Sequence, residues 1–118
     1  MTPAALRIQV QSEQAIVLFA NTAGASATFY FGGESVAWVG PKKNNHGIAQ
    51  VYIDGKLVGE VNSYAAKATK SVILFKRTGL RLGQHTLKIV VSNKKAIGSQ
   101  GINQELFGFL TDPFIITT

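Results

Sequence analysis

The chain has 118 residues, of which 46% are hydrophobic and 15% charged; it has no cysteine and a net charge of +6. That balance excludes disorder, disulfides, thiolate metal sites and cysteine nucleophiles, and it suits a single module over residues 1–118 with one core. No run approaches about 18 consecutive apolar residues, and cations adjoin only at Lys42-Lys43, Lys76-Arg77 and Lys94-Lys95, so neither membrane insertion nor a nucleic-acid-binding arm is expected.

The first residues, MTPAALRIQV, lack the cationic start and long apolar stretch of a secretory signal. LRIQV (6–10) and AIVLF (15–19) read as strands. ASATFYF (25–31) alternates, with Ala27, Phe29 and Phe31 on one face and Thr28 and Tyr30 on the other, and Gly32-Gly33 breaks the run. SVAWVG (35–40) follows and stops at Pro41. The polar loop PKKNNHG (41–47) then leads into HGIAQVYIDGKLVGEVN (46–62), two strands around Asp54-Gly55. Asp-Gly between alternating apolar runs predicts a tight primed turn, because both residues tolerate φ > 0. A two-residue turn would pair Ile53 with Lys56, Tyr52 with Leu57, Val51 with Val58 and Ile48 with Val61. Both hairpin faces would then carry apolar side chains, which predicts a cover over part of the second face.

SYAAKATK (63–70) reads as a loop or one helical turn, and SVILFKR (71–77) as a strand. HTLKIVV (85–91) alternates, with Leu87, Ile89 and Val91 inward; His85 shares their parity and reads as a hydrogen-bonded strand-end histidine. KKAIGSQGINQ (94–104) is a long polar loop, and ELFGFL and PFIITT close the chain as strands. Short strands with regularly spaced turn signals mean an all-β antiparallel sandwich or barrel.

Chemistry-bearing motifs are sparse. The carboxylates are Glu13, Glu34, Asp54, Glu60, Glu105 and Asp112, and none sits in a motif that marks an acid/base pair. No Gly-x-Ser-x-Gly elbow or phosphate loop is present. His46 and His85 alone cannot close a zinc site, so no metal ligands are assigned. The chain is read as not an enzyme. Candidate ligand-binding residues gather in the loop before the hairpin: Lys42, Lys43, Asn44, Asn45 and His46 all suit sugar hydroxyls, although a loop that merely caps a hairpin would look the same. Trp38 shares parity with Val36 and reads as core or, alternatively, as a sugar-stacking platform. Tyr64 and Tyr52 are further aromatic candidates. The Lys42-Lys43 pair favours acidic or sulfated glycans over neutral ones.

The order and spacing of several pieces carry a resemblance. Phe29, Phe31 and Gly32 precede VAWVGP and HGIAQVYIDG; then come Leu80, Gly83, His85, Thr86 and Leu87, and an ending at Asp112 and Phe114. Together the chain resembles the galactose-binding-like jelly-roll carbohydrate-binding modules appended to secreted bacterial glycoside hydrolases. It departs from them in having only about two short strands before GASATF, where such modules carry a longer N-terminal section. The resemblance implies a jelly-roll β-sandwich, secreted or at the cell surface, forming part of a larger multidomain protein. It also implies a non-catalytic module that holds a linked enzyme near its polysaccharide, with no cofactor beyond the structural calcium that related folds often carry. The alternative is a structural or protein-docking β-sandwich without a sugar ligand.

Overall fold

The computed structural model describes residues 7–10 and 15–111, which form nine strands and no helix. The strands are β1 (Arg7–Val10), β2 (Ala15–Ala20), β3 (Ser26–Gly33), β4 (Val36–Gly40), β5 (Ile48–Ile53), β6 (Lys56–Asn62), β7 (Val72–Arg77), β8 (Gly83–Val91) and β9 (Gln104–Thr111). They make two sheets, one of five strands in the order β1-β3-β8-β5-β6 and one of four in the order β2-β9-β4-β7. The result is an all-β sandwich. PFIITT, with Asp112 and Phe114, lies outside the described residues.

All strand pairs are antiparallel except β1 and β3, which run parallel from Arg7↔Ser26 to Val10↔Phe29. The intervening strand β2 belongs to the opposite sheet. The chain therefore leaves the first sheet and returns to it in its original direction.

Alternation places the core. Phe29 and Phe31 of β3, Ala49, Val51 and Ile53 of β5, and Leu87, Ile89 and Val91 of β8 are buried on one side of the five-stranded sheet. Val36 and Trp38 of β4 and Leu106 and Phe109 of β9 meet them from the other sheet. Phe29 and Phe109 stack across the sandwich with centroids 4.4 Å apart and planes within 3°. Each such burial contributes roughly 1.5–3 kcal/mol of apolar transfer free energy.

The hairpin closes as its turn chemistry requires. Asp54 has φ 51° and Gly55 φ 81°, the two positive values of a primed turn. Ile53↔Lys56 and Tyr52↔Leu57 pair as expected. Beyond them the register departs, because a β-bulge between Val51 and Tyr52 places Gly59, not Val58, opposite Val51. Val61 consequently faces Ala49 instead of Ile48, and it joins the core. The second face is thus less apolar than the simple register implied. Nor is it fully covered among the described residues, since Leu57 is 51% exposed. Residues 63–70 form no helical turn; they pass between β6 and β7 as irregular chain.

Candidate functional site

Three connections converge around His46: residues 41–47 between β4 and β5, 63–71 between β6 and β7, and 92–103 between β8 and β9. Isolated parallel bridges join Lys43 to Tyr64 and His46 to Asn103. The amide of Gln100 donates to the Asn44 carbonyl at 2.8 Å, and the amide of Thr69 donates to the Lys42 carbonyl at 2.9 Å. Gly47 lets the third connection cross the first. A Cβ there would stand 2.7 Å from the Lys94 carbonyl oxygen and 2.8 Å from the Ile102 Cα.

The His46 ring fills the junction and has no exposed surface. Its Nε2–H donates to Glu105 Oε2 at 2.7 Å, and Nδ1 lies 3.1 Å from Ser63 Oγ. Ser63, equally enclosed, donates to Gln104 Oε1 at 2.8 Å. Lys43 Nζ bridges both Glu105 carboxylate oxygens at 3.1 and 3.0 Å. The His46 carbonyl accepts from Ser99 Oγ at 2.6 Å. Burial pushes the Glu105 carboxyl up, but hydrogen bonds from Lys43 and His46 outweigh it and hold it below the ordinary carboxylate value. A serine, a histidine and a glutamate in contact invite comparison with a hydrolytic triad. Here, however, the serine is sealed from solvent and its hydroxyl is engaged by Gln104, so no substrate carbonyl can reach it.

The residues expected to bind ligand therefore have unequal standing. Trp38 is fully enclosed, and its indole N–H donates to the Glu105 carbonyl at 3.2 Å. Like His46, it presents no surface on which a sugar could stack. Lys43 is drawn onto Glu105, and Asn45 is half-buried, with an Oδ1 that finds no partner among the described residues. The Asn44 side chain is exposed, Lys42 is partly so, and half-buried Tyr64 sets its hydroxyl over Gly98. The structure thus brings Lys42 to His46 and Tyr64 together, but around an internal hydrogen-bond network more than around an open recess.

No protein-family model matches the chain. It is similar, over part of its length, to two proteins of Flavonifractor plautii. One is an "A type blood N-acetyl-alpha-D-galactosamine deacetylase", 44% identical over 72 residues, which are 61% of this chain and 9% of that protein. The other is an "A type blood alpha-D-galactosamine galactosaminidase", 42% identical over 72 residues, 61% of this chain and 7% of that protein. The chain spans less than a tenth of the length of either relative. It is a β-sandwich with sequence kinship to a small piece of glycan-modifying enzymes.

Glu105, Ser63, Gln104 and Ser99 emerge from the structure alone. A polar pair, Gln104-Glu105, at the head of the apolar strand β9 was the available signal. A calcium ion takes six to eight oxygen ligands from carboxylates, carbonyls and water. Glu105 is already neutralised by Lys43, and Glu60 is paired with Lys94 at 3.3 Å. Among the described residues no three His, Asp or Glu side chains cluster.

Proposed function

We propose that the chain is a non-catalytic jelly-roll carbohydrate-binding module of a larger, secreted or cell-surface protein, where it holds glycan-processing chemistry near its substrate. The observation that carries this reading is the pair of relatives. One is named a deacetylase and the other a galactosaminidase, and each matches 72 residues of this chain within a small fraction of its own length. A piece found beside two different reactions is not tied to either. Both names specify galactosamine of A type blood, so α-linked galactosaminides and their N-acetyl forms are the ligand class to test first.

The side chains support a binding role over catalysis. Among the described carboxylates, Asp54 is held by His85, Glu60 by Lys94 and Glu105 by Lys43 and His46. A paired acid and base aimed into one recess is not formed from these groups. Binding at a single shallow site would be weak, on the order of high micromolar to millimolar, because few hydrogen bonds must offset ordering costs. Tethering to an enzyme makes such affinity useful through effective concentration.

A protein-docking role is the second reading. Its support is β7, which ends the four-stranded sheet with Val72 and Ile73 each more than a third exposed. A glycan array separates the two. Retention of α-galactosaminide or N-acetyl-α-galactosaminide glycans supports the module, whereas an array blank for every glycan favours docking.

A further inference from the structure

We propose that the glycan-binding surface is the outer face of the five-stranded sheet, where Tyr30, Lys88 and Tyr52 form a diagonal across β3, β8 and β5 that seats a neutral saccharide. The inference rests on the glycan-binding reading and gives it a place.

The register builds the diagonal. Tyr30 pairs with Thr86, while Thr28 and Tyr52 flank Lys88 from opposite sides. Inward partners of these residues, Phe29, Leu87 and Val51 among them, are fully buried, so the pleat turns the diagonal outward. Strands about 4.8 Å apart with a rise of about 3.4 Å per residue put the two tyrosine Cα atoms roughly 12 Å apart, with Lys88 between them. Tyr30 is 37% exposed. Lys88 is exposed and holds its Nζ 5.9 Å from the Tyr52 ring centroid.

The chemistry of this face suits a sugar. Tyrosine rings offer apolar surface to C–H groups and hydroxyls to polar ones. Lys88, Thr28, Thr86 and Gln50 add donors at fixed places in the three middle strands of the sheet. A spacing of roughly 12 Å suits two consecutive sugar rings better than one. β3, β5 and β8 carry no acidic residue, and Glu60, opposite Gln50 on β6, is paired with Lys94, so an ammonium-bearing sugar would meet Lys88 with no carboxylate in the three middle strands to offset it. The face therefore favours an N-acetylated amino sugar, whose carbonyl accepts from Lys88, over the free amine. The loops around His46 are the poorer platform, because Lys43, His46, Ser63 and Glu105 engage one another.

The test is a two-dimensional ¹⁵N–¹H titration of the whole chain with methyl N-acetyl-α-D-galactosaminide and with methyl α-D-galactosaminide. Expected are shifts at Tyr30, Gln50, Tyr52 and Lys88, with the N-acetyl sugar saturating at several-fold lower concentration. Tyr30→Ala should weaken binding about five-fold, and Lys88→Glu should reverse the order of the two sugars. Shifts confined to Asn44, Tyr64 and residues 98–103 would overturn the placement while leaving the glycan-binding reading intact. Shifts on the diagonal that follow protein concentration instead of sugar would assign the face to a second copy and overturn the proposal. An unchanged sugar order in Lys88→Glu would remove Lys88 from the site. No shift with either sugar would count against the placement and the reading together.

Discussion

His46 Nε2 lies 2.7 Å from Glu105 Oε2 in a junction where the histidine has no exposed surface. Two connections distant in sequence are thereby locked to the head of β9. Removing the ring would leave the Glu105 carboxylate to Lys43 alone, take one partner from the Ser63 hydroxyl and open a cavity. His46→Ala should therefore cost roughly 2–4 kcal/mol. Urea denaturation would show it as a lowered midpoint with an unchanged slope; a midpoint equal to that of the parent chain would mean the junction contributes nothing.

Acid should loosen the same junction. Because the Glu105 carboxyl titrates below its ordinary value in the folded chain, its contribution is present above the unfolded carboxylate pKa and is lost as pH falls through the lowered folded value. Glu105→Gln should be less stable than the parent near neutrality and should lose less stability on acidification. Parallel stability-versus-pH curves for the two proteins would contradict the assignment.

Alkali should loosen a different contact. His85 faces acceptors at both nitrogens, Asp54 Oδ2 at 2.6 Å and the Arg81 carbonyl at 2.5 Å. The Arg81 carbonyl and then Asp54 raise its pKa above the ordinary imidazole value. Stability from this contact is complete below the unfolded imidazole value and fades as pH rises through the raised folded one. Asp54 is half exposed, so screening by solvent keeps the effect modest. The parent should lose more stability than His85→Asn as pH rises from below the ordinary imidazole value through the raised folded one, measured as urea midpoints; equal losses would show that the imidazolium is not the cause.

Two glycines should fail for different reasons. Gly55→Val forces a β-branched residue to φ 81° and should cost about 1 kcal/mol or more, although nothing crowds the position. Gly47→Ala meets two backbone atoms within 3.0 Å and should cost about 1–3 kcal/mol through displacement of residues 92–103. Thermal melts of both variants would check this, and a Gly47→Ala chain as stable as the parent would refute the close crossing.

The hairpin was legible because Asp54-Gly55 states its own backbone requirement, and β3, β5 and β8 because their alternation names the inward face. The bulge was not, since Val58-Gly59 looks like any other pair of strand residues until the partner strand is known. In sequence His46 looks like loop polarity, because the carboxylate that holds it stands 59 residues away. Local sequence shows a side chain's chemistry, but whether that chemistry is turned outward or consumed internally depends on a distant strand. Trp38 illustrates the opposite case, where parity with Val36 already pointed to the core in which both are buried.

On the proposed reading the chain binds glycan without transforming it. Saturation-transfer difference NMR on methyl N-acetyl-α-D-galactosaminide tests both halves in one tube. Transfer to the sugar's ring and N-acetyl protons is expected at millimolar concentration, with the sugar spectrum unchanged over a day. Absence of transfer to this and every other glycan tried, or the appearance of deacetylated or hydrolysed sugar, would contradict it.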